Sequence, residues 1–343
     1  MTRPPAAGAP AAAVTLATSV EALARALPRT LLAVLPTPLV AAPRLAAALG
    51  TGRLLVKRDD LTGFAFGGNK ARLLEFLVAA AVADGADTLL TGGAAGSNFC
   101  AATAAAARRA GLACELVIAG RPGPPGTPEP ALALARSWGA AVRWTGVPDR
   151  DSVDAALPAA ARELAAAGRR PYLIPRGGAT GLGAVGYALA AAELGAQLGA
   201  QLDGDDVTVV VPTGSGGTLA GLIAGHVLLG RPWTLLGCSA SRPPQAAQRQ
   251  VLTLARECLR LLGAELEPGP ADVTVVDARG PGHGLPSPDG LATAEQAIRT
   301  EGLMLDPVYT AKALAQAPRS QSVVFWHTGG VLDAVAAAQE ASS

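Results

Sequence analysis

Lysine is scarce in this sequence. The 343 residues hold 28 Lys+Arg, and only Lys57, Lys70 and Lys312 are lysines, which leaves 28 − 3 = 25 arginines. Chemistry that needs a primary amine therefore has three side-chain candidates. Cysteine is sparse as well: Cys100, Cys114, Cys238 and Cys258 show no CxxC spacing, so neither a disulfide framework nor a metal site is expected, and reduced thiols are. Charge of one sign is missing, because the net charge is +1; without a basic excess to neutralise phosphates, nucleic-acid binding is not expected. No run of about 18 or more uncharged apolar residues looks like a membrane span. The Ala- and Pro-rich residues 1–15 read as a loose leader without a Leu-rich core, so export is not expected and a cytoplasmic location is.

Apolar residues are plentiful, at 50% of the chain, and with so little net charge they exclude a disordered chain. The length fits two domains. Strand-like runs at 54–57, 88–91, 114–118, 141–144, 172–174, 207–211, 234–238, 273–276 and 322–326 alternate with Ala/Leu-rich helical stretches at 71–84, 98–110, 130–138, 152–167, 183–198, 218–229 and 245–262. That alternation predicts a doubly wound α/β fold with open sheets. RPGPPGTPEP (121–130) reads as a surface loop, and GDD (204–206) as a linker.

Glycine and small hydroxyl residues mark three strand-to-helix junctions, TGGAAGSN (91–98), PRGGATGLG (175–183) and PTGSGGTLAG (212–221), and FGGNK (66–70) precedes a further helix. Ligands of open α/β sheets bind at such turns, beyond the carboxyl ends of strands. PTGSGGT, following VTVVV, is the best phosphate cradle of the set: its glycines admit a close anion, and Ser215 and Thr218 can donate to it. It has neither the GxxxxGK[ST] of a P-loop nor a GxGxxG, so nucleotide readings are weak. Lys57 and Lys312 read as solvated or salt-bridged. Lys70, after two glycines and an asparagine and ahead of an amphipathic helix, can project into the crevice that faces the cradle. Phe64 and Phe66 supply apolar surroundings that lower an amine pKa. One lysine and a separate phosphate loop are what an enzyme dependent on pyridoxal 5'-phosphate (PLP) requires.

The strings PTPL (36–39), VKRDDLTG (56–63), GGNKARLLEF (67–76), GSN (96–98), GYALAAAEL (186–194), TGSGGTLAG (213–221), LDPVYTAKAL (305–314) and FWHTGG (325–330) occur in one order. Together they resemble the D-cysteine desulfhydrase and 1-aminocyclopropane-1-carboxylate (ACC) deaminase family, within the fold type II PLP enzymes, over about residues 30 to 335. The resemblance implies a cofactor in the cleft between two domains, a large one of 1–72 and 186–343 and a small inserted one of 73–185. It implies a small amino acid, D-configured, as substrate, and a homodimer. Lys70 would be the Schiff-base lysine and Asn98 would bond the cofactor 3′-oxygen. Thr213, Gly214, Ser215, Gly216, Gly217 and Thr218 would hold the phosphate, and Thr310 would face the pyridine nitrogen. Asn69, Ser97, Phe99 and Tyr309 would line the substrate side, Ser97 in proton transfer or carboxylate binding and Tyr309 as an acid–base group. A hydroxyl at 310, where the ACC deaminases carry Glu, makes the ring a weaker electron sink and points to the desulfhydrase branch.

Departures from the family pattern fall around the substrate. Gly96 and Phe99 replace a Gln and a His, and GHGLP puts His283 where the family has a tyrosine; His283 is thus a candidate proton carrier near neutral pH. Arg176 either meets a substrate carboxylate or has no role. Cys100 and His226 read as packed core residues, the latter satisfied, and His327 as a backing group. The expected activity is α-proton removal and β-elimination to a 2-oxo acid and ammonia. Two alternatives stand beside it: a biosynthetic PLP enzyme performing β/γ-replacement, cyclisation or isomerisation, and a PLP-binding protein without turnover.

Overall fold

The computed structural model describes residues 19–124, 129–199 and 206–340. The leader at 1–15 and most of the 204–206 linker lie outside these, and the 121–130 loop is described only at its ends. Among the described residues ten strands form two sheets. The larger runs β1 (Leu39–Ala41), β2 (Arg53–Arg58), β10 (Ser322–His327), β7 (Val207–Thr213), β8 (Thr234–Ser239), β9 (Thr274–Asp277). The smaller runs β5 (Ala141–Trp144), β4 (Ala113–Ile118), β3 (Thr88–Gly93), β6 (Pro171–Leu173). Every pairing is parallel except β1 with β2. All nine apolar runs read from the sequence are strands; β1 is the addition, a short and largely exposed edge.

Parallel strands are covered on both faces, which is why these runs are continuous rather than alternating. In β7, Val209 and Val211 enter a core that passes through both sheets, whereas Val210 faces a second cluster with Leu54, Val56 and Phe325. In the small sheet Leu89 and Leu116 join the shared core, and Leu90 and Val117 pack on α5 (Asp151–Ala166) through Val153 and Leu157. Helix α2 (Lys70–Ala83) lies within the shared core and buries every residue from Ala71 to Ala79, which follows from its being apolar nearly all round.

Two charged residues of α2 are buried too, and both are paired. Glu75 accepts from Arg29 and from the backbone N–H groups of Leu32 and Ala33, fastening the N-terminal segment. Arg72 forks onto Asp59 and Glu193, at 2.9 to 3.0 Å. Asp59 also accepts from Thr37 Oγ1 (2.8 Å), Tyr187 Oη (2.6 Å) and Trp326 Nε1 (2.9 Å). Lys57 is the fourth charge of this cluster, fully buried and paired with Glu193. It is salt-bridged as expected but not solvated. The two cations and two anions balance, the condition for holding ions away from water.

The loops after β2, β3, β6, β7 and β10 gather at the carboxyl ends of the strands. GGNK and HTGG touch there: Asn69 N–H donates to the Thr328 carbonyl (2.9 Å), and a Cβ on Gly68, whose φ is +53°, would stand 2.3 Å from that oxygen. Only glycine permits this approach.

Candidate active site

These loops enclose a cavity of ≈ 300 Å³ between the sheets. Lys70 opens α2 at its wall. The cavity walls remove its amine from bulk water, and that desolvation, partly opposed by Asp306, lowers its pKa to about 8. Against an ordinary lysine this raises the free-amine fraction at neutral pH by roughly 300-fold. Phe64 is buried beneath this loop as expected. Phe66 is not: the chain turns with a positive φ (52°) and leaves its ring 59% exposed, so it does nothing for the amine.

Across the cavity stands the glycine-rich turn leading into α7 (Gly217–Leu228). Gly216 has φ +100°, which sets the helix start under the turn. Arg242 and Ser241 both donate to the Gly214 carbonyl (3.0 Å each), and a planar trans peptide then aims the Ser215 N–H the opposite way. Among the described residues no acceptor meets the N–H groups of Gly214, Ser215 or Gly216, and helix geometry leaves those of Gly217 and Thr218 without an intrahelical partner. Orphaned donors at a helix N-terminus fit a phosphate. Asn69 Nδ2 donates to Thr218 Oγ1 (2.9 Å), tying the lysine loop to this turn.

A second helix start, that of α3 (Asn98–Arg109), forms another wall. Ser97 is its N-cap, its Oγ accepting from Cys100 N (3.3 Å). Asn98 donates to Asp333 Oδ2 (3.0 Å), and its other amide atoms remain available. Burial, then the charge of Asp306, pushes the Asp333 carboxyl up to about 6. Phe99 borders the cavity, but its ring is packed at Gly178, where a Cβ would come within 2.6 Å of it.

Tyr309 and His283 face each other, with Oη and Nε2 3.1 Å apart and the rings edge to face. Burial, with the charges of Arg150, Lys312, Arg176 and Arg242, depresses His283 to about 4. With that depression the imidazole rests neutral at physiological pH, where the sequence reading has it titrating near neutrality. Burial keeps Tyr309 protonated. Lys312 is neither solvated nor salt-bridged: it is buried and donates to the carbonyls of Arg279 and Gly282, fixing the turn that carries His283.

The structure does not bring Thr310 to the cavity. It is fully buried and its hydroxyl is spent on Asp306, whose carboxylate also accepts the N–H groups of Val308, Tyr309 and Thr310. The carboxylates at the wall are Asp306 and Asp333, which with Thr328 and Arg150 the sequence reading missed. His327 sits behind the site, bonded to the Met304 carbonyl and to Gly329 N. His226 is buried in α7 but, against expectation, its Nδ1 has no partner among the described residues. Cys100 is core, its thiol pushed up to about 11 by burial.

Two parallel open sheets with a desolvated lysine facing an anion cradle across the cleft define a fold type II, PLP-dependent enzyme. The chain belongs to the pyridoxal-phosphate dependent enzyme family, whose model matches residues 30–329. It is 38% identical over 311 residues to a D-cysteine desulfhydrase of Yersinia enterocolitica, covering 86% of this chain and 91% of that protein. It is 34% identical over 322 residues to a putative ACC deaminase of Pyrococcus abyssi, covering 91% and 94%. Among solved structures, an ACC deaminase homologue superposes with a TM-score of 0.81 at 32% identity, covering 91% of this chain and 95% of the other. A threonine deaminase at 23% identity and TM-score 0.61 shares the fold.

Proposed function

We propose that the protein β-eliminates a small amino acid, D-cysteine or a close analogue, to a 2-oxo acid and ammonia. The observation that carries this is the shared cavity of Lys70, the 214–218 cradle and the paired Tyr309 and His283. Bound PLP supplies the electron sink that lets an α C–H bond ionise. Lys70 holds the cofactor aldehyde, Gly214 to Thr218 take its phosphate, and Asn98 meets the ring oxygen. The substrate carboxylate lies at the start of α3, against Ser97. Lys70 Nζ takes the α-proton; a protonated Tyr309 leaves Ser97 no base to pass a proton to, so Ser97 is kept for the carboxylate. The β-substituent leaves with its bonding electron pair, and Tyr309, protonated and oriented by neutral His283, stands ready to protonate it. For cysteine the balance is cysteine plus water to pyruvate, ammonia and hydrogen sulfide.

Names of the relatives favour elimination over replacement or cyclisation. The holoenzyme is expected to release pyruvate from D-cysteine and β-chloroalanine without a second nucleophile. Bound PLP with no pyruvate from either enantiomer would transfer the reading to the biosynthetic alternative.

The domain division at 72/73 and 185/186 is part of the same reading. It is supported by the sheets, since each segment holds all the strands of one sheet. We also place the protein in the cytoplasm as a homodimer. No helix among the described residues is long and apolar enough to cross a membrane. Exposed Leu31, Val34 and Leu61 give a partner an apolar surface, the Val34 N–H donating to the carbonyl of Thr62, next to Leu61. Sedimentation velocity is expected to give about 68 kDa, twice the 34.1 kDa chain; a monomer at micromolar concentration would discard the dimer.

A further inference from the structure

The elimination reading uses two anion seats: the start of α7 for the cofactor phosphate and the start of α3 for the substrate carboxylate. The cavity holds more positive charge than these require. Arg150, at the head of α5, and Arg176, in the turn after β6, both line it. Arg150 is half-buried, and its guanidinium has no ion pair or hydrogen bond among the described residues. Arg176 is anchored at one nitrogen by Asp154 (2.6 Å), with Asp151 at 3.6 Å, while its Nη1 is buried and without a partner among the described residues.

A guanidinium presents a planar fork of five donors, and donors left unpaired out of water cost free energy unless a ligand meets them. The mutual repulsion is visible on the side chains nearby. Burial first, then Arg176 and Arg242, lowers the pKa of Arg150, and the same cations help hold His283 neutral. Asp154 is half-exposed and secures Arg176 at one edge only, which fixes the orientation of the remaining donors.

We propose that Arg150 and Arg176 form a seat for a second anionic group on the substrate, so that the cavity selects amino acids whose side chain ends in an oxyanion, a carboxylate or a phosphate. This rests on the elimination reading of the same site and, among the close analogues of D-cysteine, favours those whose β-substituent carries an oxyanion. Arg176 precedes Gly177, whose carbonyl accepts from Ser215 Oγ of the cradle (3.4 Å), and both arginines act through their charge on Tyr309 and His283, so the seat lies between the cradle and that pair.

Calorimetric titration of the PLP-loaded enzyme tests the seat with pairs that differ in side-chain charge: aspartate against asparagine, and O-phosphoserine against serine, in D and L forms. The charged member of at least one pair is expected to bind on the order of 30-fold more tightly, as charge-assisted hydrogen bonds allow, and the pair that shows it separates carboxylate from phosphate. In R150Q/R176Q the ratio is expected to fall to about 1. Should that variant not fold, R150Q and R176Q singly are each expected to cut the ratio at least ~5-fold. Equal binding of both members by the wild type, or a ratio that survives substitution, overturns the proposal. So does loss of PLP from the variants on dialysis with no charge preference in the wild type, which would assign the arginines to the cofactor phosphate. Pyruvate from D-cysteine, β-chloroalanine and O-phosphoserine is scored on the same enzyme, since aspartate and asparagine carry no β leaving group. A charge preference with no pyruvate from these three would sink the elimination reading and leave the seat standing; pyruvate from D-cysteine or β-chloroalanine with no preference would do the reverse.

Discussion

Lys70→Ala is expected to lose the visible absorbance of lysine-bound PLP and to lower pyruvate formation by at least ~10³-fold, since it removes both the covalent anchor and a base of the kind worth 10² to 10⁴. Neither other lysine can take over. Lys57 is locked against Glu193 behind α2, and Lys312 is spent on two carbonyls. The cradle does not depend on this side chain, so the variant is expected to keep a weaker, noncovalent affinity for PLP that borohydride reduction does not fix to the protein. Lys70→Arg separates chemistry from packing: it keeps a cation at the site, cannot form the imine, and is expected to be equally inactive with a melting temperature near wild type. A PLP adduct fixed to the protein by borohydride in either variant would remove Lys70 from its role.

Asp59→Ala is expected to be the most destabilising single change. Its carboxylate is completely buried and receives donors from Thr37, Arg72, Tyr187 and Trp326, so its loss leaves a phenol and an indole without acceptors and Arg72 with Glu193 as its one remaining carboxylate. Breaking a buried pair costs about 3–5 kcal/mol, and each orphaned donor adds about 1–3, against a total stability of about 5–15. A drop of well over ~5 °C in melting temperature follows for a chain of this size. Burial alone would raise the Asp59 pKa, but Arg72, Tyr187 and Trp326 more than offset it; Glu193 is held down likewise by Arg72 and Lys57. Both carboxylates therefore have folded values below their unfolded ones of about 4. Their contribution is complete above that pH and is lost as pH falls through the folded values, so acid unfolding is expected to set in below about pH 4 in the wild type. Asp59→Asn should shed part of this acid limb. A melting temperature within ~1 °C of wild type would show the cluster to be passive.

The strands were legible because both their faces are covered, so that VTVVV or ACELVI stands out as a continuous run. LVA at 39–41 was not, for a three-residue edge has no such run, and the helices at 43–49, 288–301 and 331–340 carry too little apolar contrast to separate from an Ala-rich background. Lys70 and the cradle could be read locally: each lies at a glycine-rich junction ahead of a helix, where the chain's own geometry dictates what the loop can do. Thr310 could not, since its position beside Tyr309 says nothing of the Asp306 carboxylate that claims its hydroxyl. Arg150 and Asp333 reach the cavity only through tertiary packing. His283 was visible as a residue, but its neutrality depends on burial and on four cations from four separate segments.

The hydrogen bond from Asn69 to Thr218 has a direction, and the direction matters. Since the amide donates there, the threonine oxygen is the acceptor, and its own hydrogen can turn to the oxygen of Tyr187, itself a donor to Asp59. The loop that carries Lys70 is thereby strung through Thr218 and Tyr187 to the buried ion cluster, so that the amine's place in the cleft is set from the core.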